Sequence, residues 1–193
     1  SQFGAEPVPS NTYDIVLDKG CVNSLLSAYS GVFCANSVLK KMSFLEGKIG
    51  EKIFGDNVTI IDDPLYQAAI TNDTFDDEGV ATQKTYLIKN GKLDSLLHNL
   101  KTANKAGIKS TGNGFKASYA SPISVSPTNF YIEPGKNSLD EIMKKVDKGL
   151  LITDFAGLHS GANSITGDFS LAAKGFYIEN GVIFYETWYS WTS

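Results

Sequence analysis

The sequence predicts an α+β fold built mainly on antiparallel β-sheet. Two segments, YLIKNGKL and FYIENGVI, place Asn-Gly between β-rich runs, a pattern typical of tight hairpins. Helical periodicity occurs elsewhere, without the regular strand–helix alternation of a parallel sheet. The composition, 42% hydrophobic and 20% charged over 193 residues, is that of an ordinary globular chain with enough length for a sizeable core.

Two helices are predicted. A long N-terminal helix covers Asp18 to Leu39, with Gly31 as a point where it could kink or break. The apolar residues at helical spacing are Val22, Leu25, Leu26, Tyr29, Val32, Phe33 and Val38. A second, capped helix begins after Ser138, because Glu141 three residues later completes a capping box, and it is expected to end at Asp147, before Gly149.

The strands are predicted from short β-rich runs between turn residues. The first hairpin lies between Thr82 and Leu97, and the second lies between Phe176 and Tyr185. Their spacing of about 90 residues suggests an internal duplication. Two single strands are expected as well, Val58–Ile61 before the turn Asp62-Asp63-Pro64, and the buried run Leu150–Thr153. Residues 109–127 are expected to form a long loop.

In the domain organisation that the sequence suggests, residues 1–12 are a linker or an appended tail and residues 13–193 are one domain. No apolar run approaches the roughly 18 residues of a membrane span, and no signal segment opens the chain, so a cytoplasmic location is expected. The net charge is −4 and all 17 basic residues are lysine. Without arginine or a basic stripe, nucleic-acid binding is disfavoured.

The two cysteines are predicted to be buried, reduced thiols. On one continuous helix, Cys21 and Cys34 would lie roughly 20 Å apart, whereas a disulfide needs Cα atoms within about 7 Å. A thiol on an apolar helix without a neighbouring base stays protonated, so a cysteine nucleophile is not expected.

Metal and nucleophile motifs are weak. The only histidines, His98 and His159, are 61 residues apart and have no partner at ligand spacing, although they could still meet in space. In Gly157–Gly161 the serine is one position away from where a serine hydrolase needs it. The glycine-rich run Ser110–Gly114 lacks a following Lys-Thr pair for phosphate, but it could present backbone amides to a peptide.

The acidic residues Asp62, Asp63, Asp73, Asp76, Asp77 and Glu78 lack the spacing of a calcium loop. They could bind a hard cation, but turn formation is the favoured interpretation, since aspartate side chains bond to backbone amides two residues further on.

Several segments in order resemble the carboxy-terminal domain of the TldD/PmbA peptidase family, also labelled modulator of DNA gyrase. These segments are VTIIDDP (58–64), FDDEGVAT (75–82), STGN (110–113), SPTNFYIEPG (126–135), GANSITGDFS (161–170), GF (175–176) and ENG (179–181). Together they cover roughly residues 13–185. The tail Trp188-Tyr189-Ser190-Trp191 departs from the family pattern.

The resemblance implies a cytosolic peptidase system in which one subunit carries a zinc-binding HExxxH helix and pairs with a subunit that lacks it. Alignment on Gly47, Gly50 and Asp62-Asp63 places that motif on Leu26–Gly31. Leu26 and Gly31 then replace the two histidines, and Ser27 replaces the glutamate. The family's further cysteine ligand belongs to a segment beyond the second hairpin, and its amino-terminal domain does not match here. The chain therefore resembles the PmbA/TldE-like, non-catalytic branch.

The resemblance predicts no zinc in this chain, a TldD-like partner or self-pairing, and a peptide substrate. Polar, loop-like residues are the candidates for contact with a peptide or partner, although each could equally serve a turn. They are Ser110, Thr111, Gly112, Asn113, Asn129, Ser160, Gly161, Asn163, Thr166, Gly167 and Asp168. The alternatives are a metal-dependent peptidase with a divergent site and a modulator of DNA gyrase.

Overall fold

The structure is a computed structural model that describes residues 6–67, 69 and 72–192, leaving aside the side chains at positions 6, 7, 159, 160 and 188–192. The fold is α+β and mainly antiparallel, which confirms the predicted class. The strands are β1 (Glu6–Pro7), β2 (Asp14–Leu17), β3 (Ile60–Asp62), β4 (Thr85–Lys89), β5 (Lys92–Leu93), β6 (Gly114–Phe115), β7 (Ser124–Val125), β8 (Phe130–Ile132), β9 (Lys148–Ala156), β10 (Ser170–Glu179) and β11 (Val182–Thr192). The helices are α1 (Lys19–Tyr29), α2 (Ala35–Leu39), α3 (Leu100–Ala106), α4 (Leu139–Met143) and α5 (Leu158–Gly161), with a 3-10 turn at Ser30–Phe33.

The chain divides into two compact units. The terminal unit combines the residues up to Ala28 with Gly135–Asn163 and the segment from Gly167 onward. The central unit contains Tyr29–Pro134 together with Ser164–Thr166. Each unit contains one of the two hairpins and has its own sheet.

The sheet of the terminal unit has the strand order β1-β11-β10-β9-β2. Its three inner strands are antiparallel, and both edge strands are parallel to their neighbours. Successive residues of β9 pack on opposite faces. Leu151 joins a cluster with Val146, just after α4, while Ile152 joins a cluster with Cys21 of α1. Both faces of β9 are therefore covered, which explains its continuous apolar run and confirms the predicted buried strand.

The sheet of the central unit is fully antiparallel, in the order β5-β4-β3-β8. Its fully buried members include Ile61, Leu87, Ile88 and Leu93. A second small sheet pairs β6 with β7. Residues 109–127 are mostly loop, as predicted, but Gly114–Phe115 and Ser124–Val125 pair within them as a short hairpin whose base is held by distant side chains.

The predicted helix between Asp18 and Leu39 forms in three pieces. Asp18 caps α1, since its carboxylate accepts the Cys21 amide at 2.7 Å. Beyond the 3-10 turn, Cys34 is extended at φ −80° and ψ 123° before α2 begins. The break follows from pairing with Leu97, whose carbonyl accepts the Ala35 amide at 2.9 Å and whose amide donates to Phe33 O at 2.9 Å. Tertiary hydrogen bonds thus replace the helical ones at this position.

The short helices α3 and α4 each begin with a capping box. Ser138 and Glu141 form the predicted reciprocal capping box, but α4 ends at Met143, four residues before the expected Asp147. The sequence interpretation missed α3, which begins after Asn99 in a capping box with Thr102 and ends at the left-handed Gly107. In the described part of the chain, no helix has the length and apolar character to cross a membrane.

Candidate functional site

The centre of the central unit is a buried polar network around Asp62, the last residue of β3. Asp62 is fully buried and accepts two hydrogen bonds, from the Thr128 amide at 2.7 Å and from Asn113 Nδ2 at 2.8 Å. Asn113 in turn accepts from Thr111 Oγ1 at 2.6 Å. This network joins β3 to both ends of the segment that carries the β6–β7 hairpin.

The pKa of Asp62 is raised, because burial removes the carboxylate from water. The hydrogen bonds from Asn113 and Thr128 act in the opposite direction, and the neighbouring Asp63 charge adds to the increase. Two neutral donors satisfy the buried Asp62 side chain, so we assign it a structural role in this unit.

The first group of predicted contact residues lies in this interior. Ser110 Oγ donates to His98 O at 3.0 Å, and Thr111 and Asn113 are almost fully buried in the network. Gly112 has φ +74°, and a Cβ there would lie 2.6 Å from Ala81 O. The structure uses the polar groups of these four residues internally, and their contact with a peptide stays a prediction.

Asn129 also faces the acidic turn. Its Nδ2 donates to Asp63 O at 3.0 Å, and its own carbonyl accepts the Asp63 amide at 3.0 Å. The structure thus brings Ser110–Asn113 and Asn129 together around Asp62-Asp63, which the sequence spacing alone did not reveal.

The second group of predicted contact residues forms the loop between α5 and β10. The loop is closed by the Asn163 amide, which donates to Asp168 O at 2.9 Å, and by the Gly167 amide, which donates to Asn163 O at 2.8 Å. Asn163, Thr166 and Asp168 are exposed. Thr166 groups with the central unit, and the other described members belong to the terminal unit.

Gly161 and Ser160 lie in α5, at the start of this group. A Cβ at Gly161 would lie 2.0 Å from Ser170 O, so glycine is required there by close backbone approach. The Ser160 side chain lies outside the described residues, as does that of His159. Both belong to the short helix α5.

His98, the other histidine, lies in the interior of the central unit. It is 6% exposed, and its Nδ1 is buried without a hydrogen-bond partner in the described structure. Burial lowers the pKa of His98, and a hydrogen bond with the Thr102 backbone opposes this shift. The ring is therefore neutral at physiological pH.

The acidic residues of the Asp76–Glu78 turn bind backbone amides. Asp76 Oδ1 accepts from Glu78 N at 3.0 Å and from Val80 N at 2.9 Å, which confirms the predicted turn. The same turn also bonds to distant segments, because Asp77 Oδ2 accepts the Lys116 amide at 2.7 Å and Glu78 Oε2 accepts the Leu100 amide at 2.7 Å. Among the residues that the structure describes, no three His, Cys, Asp or Glu side chains are grouped so that they could hold a metal ion.

Neither cysteine is an activated thiol. Both are unpaired and buried, as predicted. Burial, together with the Asp18 carboxylate, raises the pKa of Cys21 to about 12. Burial and the Asp62 charge raise the pKa of Cys34 to about 12 as well. Both thiols therefore stay protonated at neutral pH.

A groove of about 550 Å³ in the terminal unit lies along α1. It is lined by Asn23, Ser24, Ser27, Ala28 and Leu158. The first four residues lie one helical turn apart in pairs, so they share one face of α1, while Leu158 opens α5. The side chains that line the groove carry amide, hydroxyl and aliphatic groups.

The groove can be tested directly for its fit to zinc. Zinc in proteins is held by imidazole, thiolate or carboxylate donors at about 2.0–2.3 Å. The lining residues of the groove offer only neutral oxygen and nitrogen atoms of Asn and Ser. These residues do not fit a zinc site.

The architecture is that of an α+β domain of two compact units, one of which has a groove along α1. The sequence profile of the PmbA/TldA metallopeptidase C-terminal domain matches residues 10–187. This chain belongs to that family and corresponds to its carboxy-terminal domain.

Three relatives illustrate the match. An uncharacterized protein of Methanocaldococcus jannaschii is 44% identical over 172 residues, which are 88% of this chain and 40% of the relative. The crystal structure of a candidate modulator of a DNA gyrase from Thermotoga maritima has a TM-score of 0.88 and 38% identity, covering 95% of this chain and 42% of that one. The crystal structure of TldE from Thermococcus kodakarensis has a TM-score of 0.85 and 28% identity, covering 97% of this chain and 43% of that one. The chain thus spans about two fifths of the length of these relatives.

Proposed function

We propose that this domain belongs to the non-catalytic subunit of a TldD/PmbA-type metallopeptidase system, which matures or degrades peptides in the cytoplasm. In this proposal the zinc ion is held by a partner subunit that carries the HExxxH motif. The domain itself pairs with that subunit and helps to enclose the peptide. Family membership supports the peptidase system, and the chemistry of α1 supports the non-catalytic role.

The observation that carries the proposal is the neutral face of α1. The resemblance places the zinc motif of the active branch on Leu26–Gly31, and Ser27 and Ala28 of this stretch line the groove. An active site would need two imidazoles and a carboxylate along this helix. The serine hydroxyls and the Asn23 amide can instead hydrogen-bond a peptide backbone without cleaving it.

The experiment is reconstitution of the pair. The full-length protein is mixed with an HExxxH-bearing relative encoded in the same genome, and association and peptidase activity are measured together. The proposal expects a stable complex whose activity exceeds that of either protein alone. Failure to associate would contradict it.

Two matched variants test which subunit carries the catalytic groups. Replacing the motif glutamate of the partner by glutamine should abolish turnover, because that group is the general base beside the metal. The variant Ser27→Ala in this chain should leave the turnover number within about twofold and affect mainly the KM, because its hydroxyl binds the peptide backbone and transfers no proton. A loss of activity with Ser27→Ala as large as that with the partner variant would instead indicate a peptidase with a divergent site in this chain.

A further inference from the structure

The exposed apolar residues of the terminal unit are concentrated in one region. In the part of this unit that the structure describes, every large apolar or aromatic side chain that is exposed belongs to α4 or to the start of β11. They are Leu139, Ile142, Val182, Ile183, Phe184 and Tyr185, which are called the apolar patch below. The corresponding side chains of the central unit are instead distributed over many separate segments.

The two segments of the apolar patch are held side by side. The Gly181 amide donates to Val146 O at 2.9 Å, so the β10–β11 turn lies against the residues that follow α4. On the strand, Ile183 is paired with Ile178, which belongs to the same core cluster as Val146. Met143 of α4 packs against this cluster as well. Because directly opposed residues of a β-ladder share a face of the sheet, Ile183 lies on the face that α4 covers.

The local structure orders the aromatic residues of the patch without burying them. The pairing of β10 with β11 shifts register, with Tyr177 opposite Tyr185 and Ile178 opposite Ile183. Phe184 is therefore the extra residue of a β-bulge, a feature that redirects side chains. Tyr185 stacks on Tyr177 with the ring centroids 5.3 Å apart. The patch is thus a preformed surface.

The size of the patch indicates what kind of surface covers it. Its six side chains are between 40% and 62% exposed, which amounts to roughly 500 Å² of apolar surface. Contiguous patches of this size on a monomer are often functional. Interfaces between domains of one polypeptide bury about 300–750 Å² on each side, whereas a stable complex of separate proteins buries about 800 Å² on each side. The area therefore favours a domain of the same polypeptide.

The relatives contain the length of chain that such a domain needs. In the Thermotoga maritima and Thermococcus kodakarensis structures, the region that matches this chain is 42% and 43% of the polypeptide. About three fifths of each relative therefore lies outside the matched region, which is longer than the region itself. The family profile describes the matched region as a C-terminal domain.

We infer that the apolar patch is the docking face for the rest of the full-length polypeptide, whose additional domain packs an apolar surface on α4 and the start of β11. Docking of this kind occurs within one subunit and does not depend on which subunit holds zinc, so it goes beyond the proposed function. A domain in the same chain is present at a high effective concentration, so a patch of this size is sufficient. In the 193-residue chain alone, the same side chains contact solvent and contribute little to its stability.

The test compares hydroxyl-radical labelling of matched side chains in the full-length protein. Phe184 and Phe75 are both 62% exposed, and Tyr185 and Tyr66 are both 40% exposed, but Phe75 and Tyr66 belong to the central unit. Docking excludes water from the core of an interface, so Phe184 and Tyr185 should be labelled about fivefold more slowly than their controls. Equal rates within both pairs would overturn the inference and leave the proposed function standing.

Dilution and the partner identify what covers the patch. The protection should persist after about tenfold dilution and without the HExxxH-bearing relative, because the docked domain is part of the same chain. Protection that disappears on dilution would indicate a second copy of the protein, and protection that requires the relative would indicate the partner subunit. Either result would overturn docking within one polypeptide.

A charge placed in the patch provides a second readout. Phe184→Glu in the full-length protein should raise the labelling rate of Tyr185 to that of Tyr66, because an apolar interface excludes an unpaired carboxylate. The matched variant Phe75→Glu should leave Tyr185 protected. A Tyr185 ring that stays protected in Phe184→Glu would contradict the inference.

Discussion

The two Asn-Gly hairpins have similar sequences and the same turn, but they differ in burial. In both, the asparagine and the glycine adopt positive φ, with Asn90 at 49° and Gly91 at 79° in the first and Asn180 at 52° and Gly181 at 75° in the second. The strands of the first hairpin are buried in the central unit. The second hairpin exposes four consecutive apolar residues of β11, Val182 to Tyr185. Local sequence therefore determines the turn, whereas the surrounding chain determines what the strands contact.

The largest expected difference between the hairpins concerns their apolar side chains. Leu87 of β4 is fully buried, and Leu87→Ala should lower the free energy of unfolding by about 2–5 kcal/mol through lost burial and a cavity. Phe184 of β11 is 62% exposed, and Phe184→Ala should change the free energy of unfolding by less than about 1 kcal/mol. Urea unfolding measures both values. Equal losses would mean that the second hairpin is covered as fully as the first.

The two turn glycines provide a second contrast. A Cβ at Gly91 would lie 2.4 Å from Phe54 O and 2.7 Å from Gly55 O. Gly91→Ala should therefore cost about 3 kcal/mol, from left-handed strain plus a backbone clash. At Gly181 the nearest atom is Lys144 Cα at 2.9 Å, so Gly181→Ala should cost about 1–2 kcal/mol, mainly from the positive φ. Thermal unfolding of both variants checks the order, and a larger loss at position 181 would contradict it.

The sheet of the first hairpin also contains a buried acid, since Asp62 pairs with Thr85 of β4. Because the pKa of Asp62 is raised in the folded chain, its protonated form is favoured there. The stability that this proton provides is complete below the unfolded pKa and is lost as pH rises through the folded pKa. Wild type should therefore lose stability relative to Asp62→Asn as pH rises from the ordinary aspartate pKa of about 4 through the raised pKa of the folded chain.

Unfolding free energies of wild type and Asp62→Asn across that pH range test this prediction. The loss of a hydrogen-bond acceptor in the variant is common to every pH, so only the slope is informative. A wild-type protein that gains stability relative to Asp62→Asn as pH rises would instead show that the pKa of Asp62 is depressed.

The second hairpin carries its charges at the surface, and the smallest effect is expected there. Lys174 of β10 and Glu186 of β11 form an ion pair of 3.5 Å with both side chains substantially exposed. Lys174→Ala should cost at most about 1 kcal/mol, and the cost should shrink further in high salt. Chemical denaturation at two salt concentrations measures it, and a salt-independent loss would indicate burial of the pair.

Much of the fold could be predicted because its signals are local. The Asn-Gly turns, the Ser138 cap and the buried run of β9 depend on residues within a few positions of one another. The break at Cys34 and the β6–β7 hairpin depend on partners more than thirty residues away, such as Leu97 and Asp62, which no periodicity reveals. A capping box at Asn99 and Thr102 was present in the sequence and could have identified α3.

In the candidate site, too, some features depend on local residues and others on partners that are distant in sequence. The sequence indicated Ser110–Asn113 as contact candidates, which stays a prediction. It did not reveal their long-range hydrogen bonds, in which Ser110 donates to the His98 carbonyl and Asn113 donates to Asp62. The α1 groove could not be predicted from the sequence, because Leu158, which lines it, is far from α1 in sequence. The resemblance placed the zinc motif on Leu26–Gly31, and the structure shows that Ser27 and Ala28 of that stretch line the groove.

The most direct test of the account is the zinc content of the assembled pair. Elemental analysis of the full-length protein alone, the HExxxH-bearing relative alone and their complex counts the metal ions per chain. The account predicts zinc in the relative and in the complex, and none retained by this protein after dialysis. One zinc per chain in this protein alone, accompanied by peptide hydrolysis, would contradict it.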